Sequence, residues 1–139
     1  MAEISGIKVP EDLFYHPRHH WVRPTGNTAE VGIDDLARVL LVSICQVEMP
    51  EVGQQVIHNE EIGLIESGKW TSKIVAPLSG TITAINEAVR GDPDRVVQDP
   101  YGGGWLYRLE IVNREELNDL LFGDQALSWM EAEVKKYAP

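Results

Sequence analysis

Met49-Pro50-Glu51-Val52-Gly53 and Ala76-Pro77-Leu78-Ser79-Gly80 share one pattern, 27 residues apart: an apolar residue, proline, two residues and glycine. Each runs on toward an apolar strand. Proline presets the first central φ of a turn, and glycine supplies or tolerates an unusual one. Two copies are too few for a solenoid. Two strand–turn–strand units suit a flattened sandwich or barrel of two related halves. Between the copies, apolar runs flank a polar knot, Glu66-Ser67-Gly68-Lys69-Trp70. The pattern predicts a hairpin with Lys69 at its tip, where the two halves join.

The rest of the chain supports one domain of 139 residues, 43% of them hydrophobic. Residues 1–13 read as an N-terminal leader, loose up to Pro10, and 14–139 as the folded domain. Trp21-Val22-Arg23 and Ala29-Glu30-Val31-Gly32-Ile33 read as strands joined by a Pro24–Asn27 turn. Asp34 is placed to cap a helix over about 35–40. Residues 43–49 alternate as a half-buried strand does. The stretch 92–97 allows one helical turn, and 106–111 reads as a strand. Asn113 and Glu116 have capping-box spacing. A last amphipathic helix, about 124–137, would put Leu127, Met130 and Val134 on one face. The fold class is α+β, mostly β, with helices gathered at the C-terminal end.

Charge and cysteine content bound the function. The formal net charge is −10. That argues against nucleic acid, whose phosphates need clustered Lys and Arg, and against an anionic membrane surface. It suits docking onto basic protein partners. The longest apolar run, Val39–Val42, cannot span a bilayer. The N-terminus has no basic region followed by a long apolar stretch, so no signal peptide is read and a cytoplasmic location is expected. Cys45 is the only cysteine. It excludes an internal disulfide, fits a reducing compartment, and reads as a buried strand residue rather than a nucleophile. Nothing calls for more than a monomer.

Few side chains read as chemistry. Gly102-Gly103-Gly104 lacks the Lys and Ser/Thr of a phosphate loop and precedes a strand, so it reads as a turn beside a buried aromatic. His16, His19 and His20 lie close in sequence, but Pro17 opposes the helix that would converge them on a metal, and packed imidazoles are the expectation. His58 has no ligand-type neighbours beyond Glu60 and Glu61. Ser67 beside Glu66 reads as a turn residue, not a nucleophile. Lys69 stands apart. A Schiff-base lysine needs a dry pocket, whereas an exposed tip suits a lysine that another protein reaches and modifies.

With that turn in view, the sequence resembles the H proteins of the glycine cleavage system, which carry lipoate on a lysine in a Glu-Ser-Val-Lys-Ala/Thr turn. Here the turn is Glu66-Ser67-Gly68-Lys69-Trp70. Trp21-Val22-Arg23, Val31-Gly32-Ile33-Asp34, Pro50-Glu51-Val52-Gly53, Ala76-Pro77-Leu78-Ser79-Gly80, Asn86-Glu87-Ala88 and Asp99–Trp105 follow as family blocks in family order, from about Phe14 to Trp129. The resemblance implies a hammerhead-type barrel-sandwich hybrid that catalyses nothing itself. It implies lipoate joined to Lys69 by an amide, attached by a lipoate ligase or a lipoyl/octanoyl transferase. Glu66, Ser67, Gly68, Trp70, Arg18, His19 and His20 would surround the arm. In glycine cleavage the arm accepts an aminomethyl group, yields ammonia and a one-carbon unit, and is reoxidised by a flavoprotein, dihydrolipoamide dehydrogenase.

Three departures stand near the arm. Gly68 replaces the family's Val, Trp70 replaces a small residue, and Arg18 stands where a carboxylate is usual. A second group with this fold, the lipoate-binding proteins of heterodisulfide-reductase-like sulfur oxidation, would carry sulfur instead. Because the changes cluster around the arm, the sulfur-oxidation enzymes are preferred here as partners, with the glycine cleavage enzymes as the alternative. Other classes are an unmodified paralog acting as a binding module, a hydrolase or transferase using the histidines, and a biotin carrier, whose Met-Lys-Met turn is absent.

Overall fold

A computed structural model of the chain describes residues 2–137. Strands β1 (Ala2–Ile4) and β2 (Ile7–Val9) form a hairpin. Then come β3 (Phe14–His16), β4 (His20–Thr25), β5 (Thr28–Ile33) and helix α1 (Asp35–Leu41). Strands β6 (Ile44–Glu48), β7 (Gln55–Val56), β8 (Glu61–Ser67), β9 (Thr71–Val75) and β10 (Gly80–Ile85) follow. Short helices α2 (Glu87–Gly91) and α3 (Arg95–Gln98) lead to β11 (Tyr107–Ile111). A 3-10 turn over Arg114–Asp119 and helix α4 (Gly123–Tyr137) close the described chain.

The long strands form two antiparallel sheets. One has the order β3-β4-β5-β11-β10-β7, the other β6-β8-β9. The proline–glycine repeat explains how they connect. Each copy carries the chain from the small sheet to the large one, β6 to β7 and β9 to β10, and the two arrivals pair with Gly80 opposite Val56. Pro50 and Pro77 are both buried at these corners. The two glycines serve different needs. Gly53 takes φ +91°, the left-handed region that favours glycine. A Cβ on Gly80 would lie 2.0 Å from the Glu110 carbonyl oxygen, so here glycine permits close strand approach.

One apolar core fills the space between the sheets, with Val31, Ile65, Ile74, Leu78, Ile82 and Leu109 at its centre. A second lies under α4, where Val9, Leu13, Tyr15, Trp21, Leu36 and Met130 meet. This second core corrects the reading of residues 1–13 as a loose leader. Ile7 and Val9 are buried in it, the Lys8 N–H donates to Asp35 Oδ2 at 2.8 Å, and Tyr101 Oη donates to the Lys8 carbonyl at 2.7 Å. Alternating apolar residues let the short hairpin bury one face, and two long-range hydrogen bonds fix its position.

Asp34 caps α1 as expected, accepting from the Ala37 N–H at 2.9 Å. Three local readings change. Cys45 is exposed, because the β6–β8 register shifts between Ile44 and Gln46 and leaves it in a bulge. Glu116 does not close a capping box. Its carboxylate instead accepts from the Ser79 N–H and hydroxyl, each at 2.7 Å, tying the second corner to the 3-10 turn. Trp105 is only half-buried, lying beneath the Arg108 guanidinium at 3.9 Å.

Candidate functional site

The β8–β9 hairpin carries the candidate site. Apolar Ile62, Ile65, Ile74 and Val75 bury its base, and the chain reverses at Gly68 and Lys69, both exposed. Ser67 holds the reversal. Its N–H donates to the Trp70 carbonyl at 2.8 Å, and its Oγ accepts from the Trp70 N–H at 2.9 Å. The Lys69 N–H approaches the same Oγ at 3.4 Å. A serine hydroxyl thus substitutes for absent backbone partners, the turn role read from the sequence. Lys69 is presented outward, with no salt bridge to its ammonium among the described residues. A Cβ on Gly68 would meet nothing within 4 Å. Glycine is therefore not needed there for space.

Beside the tip lies a cleft of about 430 Å³. Ile33, Ala37, Leu40 and Leu41 give it an apolar side. Arg18, His19, His20, Trp70, Lys73 and Glu133 are among its polar and aromatic lining. The structure therefore brings Arg18, His19, His20 and Trp70 into one cavity. Glu66, Ser67 and Gly68 belong to the adjoining hairpin and do not line it. Arg18 lies 4.0 Å from Glu61, with both side chains more than half exposed, and such a pair contributes little.

His19 is the most constrained of these residues. It sits at φ +69° in the turn between β3 and β4. Its Nδ1 is 2.7 Å from Asp34 Oδ2 and its Nε2 is 2.9 Å from Glu133 Oε1. Its ring stacks on Trp129 at 4.9 Å. Two carboxylates acting as acceptors require two N–H donors, which only the imidazolium has. Burial lowers the His19 pKa, but the bonds and charges of Asp34 and Glu133 outweigh it and leave it raised. His19 thereby joins the β3–β4 turn, the α1 cap and α4. Neither partner was legible from the sequence, since Glu133 lies 114 residues away. The polar face of an amphipathic C-terminal helix was the only hint.

His16 and His20 are neutral packing residues. His20 is buried, and its Nε2 accepts from the Val75 N–H at 3.1 Å. Its Nδ1 has no hydrogen-bond partner of good geometry. Burial pushes its pKa down to about 3, against the opposing effect of the Gly32 backbone. His16 accepts from the Arg18 N–H at 3.0 Å through Nδ1 and donates to Asn59 Oδ1 at 2.6 Å through Nε2. Burial lowers its pKa as well. His58 donates to the Pro77 carbonyl at 2.8 Å. Among the described residues no three His, Cys, Asp or Glu side chains are placed to hold a metal, and no helix is long and apolar enough to cross a membrane.

The sequence model of the glycine cleavage H-protein family matches residues 13–133. A probable glycine cleavage system H protein of Haloarcula marismortui is 42% identical over 116 residues, 84% of this chain and 91% of its own. A glycine cleavage system H protein of Thermus thermophilus is 40% identical over 128 residues, 92% of this chain and 100% of its own. The crystal structure of the H protein from Mycobacterium marinum superposes with a TM-score of 0.80 at 33% identity, covering 90% of this chain and 98% of that one. These relatives are named for glycine cleavage. The preference for sulfur oxidation, drawn from Gly68, Trp70 and Arg18, has no counterpart among them. It is corrected in favour of the alternative reading: three substitutions beside one lysine weigh less than similarity along nearly the whole chain.

Proposed function

Because the chain belongs to the glycine cleavage H-protein family, we propose that Lys69 carries lipoate through an amide. The observation that carries this reading is an outward-facing lysine on a serine-locked hairpin, beside a cleft of about 430 Å³. The residues fit the group. The tip leaves Lys69 open to an attaching enzyme, a lipoate ligase or a lipoyl/octanoyl transferase. The cleft offers apolar Leu40 and Leu41 to a hydrocarbon arm.

When bound, the lipoyl group supplies the redox and carrier chemistry, and the protein supplies presentation and docking. An arm of about 14 Å, by summed bond lengths, extends past the tip. Ser67 orients the tip, and the rigid hairpin base keeps it at a defined place on the sheet. Tethering raises the arm's local concentration at any enzyme that docks there. The chain acts as a substrate of its partners rather than as a catalyst. Its partners are the enzymes of glycine cleavage, with dihydrolipoamide dehydrogenase reoxidising the arm.

The pathway is tested by glycine-dependent bicarbonate exchange with glycine decarboxylase, using protein fully loaded at Lys69. Exchange close to that of a known H protein is expected. Full loading without exchange would remove the glycine cleavage assignment and leave the carrier role standing.

A further inference from the structure

Three of the four tryptophans have identifiable partners. Trp21 is buried and its indole N–H donates to the Pro100 carbonyl at 2.7 Å. Trp105 lies beneath Arg108, and Trp129 stacks on His19. Trp70 is 60% exposed and has no aromatic or cationic partner among the described residues. Yet its backbone is the best-held part of the tip, with both N–H and carbonyl bonded to Ser67. A large amphipathic ring thus stands at the cleft on a held backbone and is left uncovered. Exposed apolar surface of this kind marks a contact still to be made.

We propose that Trp70 is an aromatic clamp that holds the dithiolane ring of the resting lipoyl arm against the cleft. The inference rests on Lys69 being the attachment site. It identifies the occupant by position. Lys69 is the preceding residue, and a flexible arm of about 14 Å can fold back over its neighbour. Sulfur packs favourably about 5 Å from an aromatic ring, often at its edge. Tethering holds the ring at an effective concentration on the order of millimolar. Even a millimolar affinity then keeps the clamp about half occupied, which leaves the arm free to depart when a partner docks. The apolar side of the cleft, Leu40 and Leu41, would receive the hydrocarbon stem.

Disulfides quench indole fluorescence on contact, which gives a readout independent of activity. The protein is prepared unloaded, loaded with oxidised lipoate, and loaded then reduced, with loading read by peptide mass. Tryptophan emission and lifetimes are compared for the wild type, Trp70→Phe and the control Trp105→Phe. The expected result is a loss of emission on loading, recovered on reduction, present in the wild type and control and absent in Trp70→Phe. Removal of the arm by a lipoamidase should also be severalfold faster in Trp70→Ala. Quenching that persists in Trp70→Phe, or no quenching in the wild type, would overturn the clamp. A Trp70→Phe change that slows loading without altering emission would assign the ring to the attaching enzyme and equally overturn it. No mass increment at Lys69 would bring down the carrier reading, and the clamp with it.

Discussion

At the 67–70 turn a single serine side chain holds an exposed backbone, and the lysine it presents has no salt bridge among the described residues. At the 17–19 turn, on the same cleft, the imidazole of His19 is gripped by Asp34, Glu133 and Trp129. The contrast separates two jobs. A residue that another enzyme must reach cannot be buried in a network, because each hydrogen bond would have to break first. The wall against which we propose that the arm rests gains from the opposite treatment. It ties together elements distant in sequence and keeps its shape.

Substituting each turn in order of effect tests that division. Lys69→Arg should abolish lipoate loading by mass while changing unfolding free energy by less than about 0.5 kcal/mol, as exposed substitutions do. His19→Gln should do the reverse, leaving loading intact and lowering stability by about 2 kcal/mol, the range of charge-assisted hydrogen bonds. A loading defect in His19→Gln would break the separation. Ser67→Ala should cost up to about 1 kcal/mol and slow loading by the ligase, measurable in a time course. Gly68→Ala should be the smallest change, neutral or stabilising by about 0.4–1 kcal/mol, since no atom opposes the new Cβ and the unfolded chain loses freedom.

The pH dependence sharpens the same comparison. The His19 pKa is raised in the folded state. Its contribution is full below the unfolded value of about 6.5 and is lost as pH rises through the folded value. His20, with its pKa pushed down to about 3, works the other way. It must stay neutral, so stability falls as pH drops from about 6.5 toward 3. Denaturant titrations across pH should show a maximum between these two losses. His19→Gln should flatten the alkaline side alone.

What the sequence disclosed followed the range of each interaction. The hairpin around Lys69, the Asp34 cap and the 124–137 helix are local patterns, and all are present. The proline–glycine repeat disclosed two related units because each copy is a self-contained turn. The repeat could not show that the copies change sheets, which depends on β7 pairing with β10. Residues 2–9 looked loose because their order comes from Asp35 and Tyr101. Cys45 looked buried because a bulge leaves no mark on an alternating pattern. The cleft was half legible. Arg18, His19, His20 and Trp70 follow from the family resemblance, but Lys73, Glu133 and Lys136 join them only through packing of the hairpin and α4.

The measurement that bears most directly on the central claim is peptide mass after the protein is incubated with a lipoate ligase, lipoate and ATP. One lipoyl increment on the peptide containing Lys69, absent in Lys69→Arg and on no other lysine, is the expected result. An unmodified Lys69 under conditions that fully load a known H protein would contradict it.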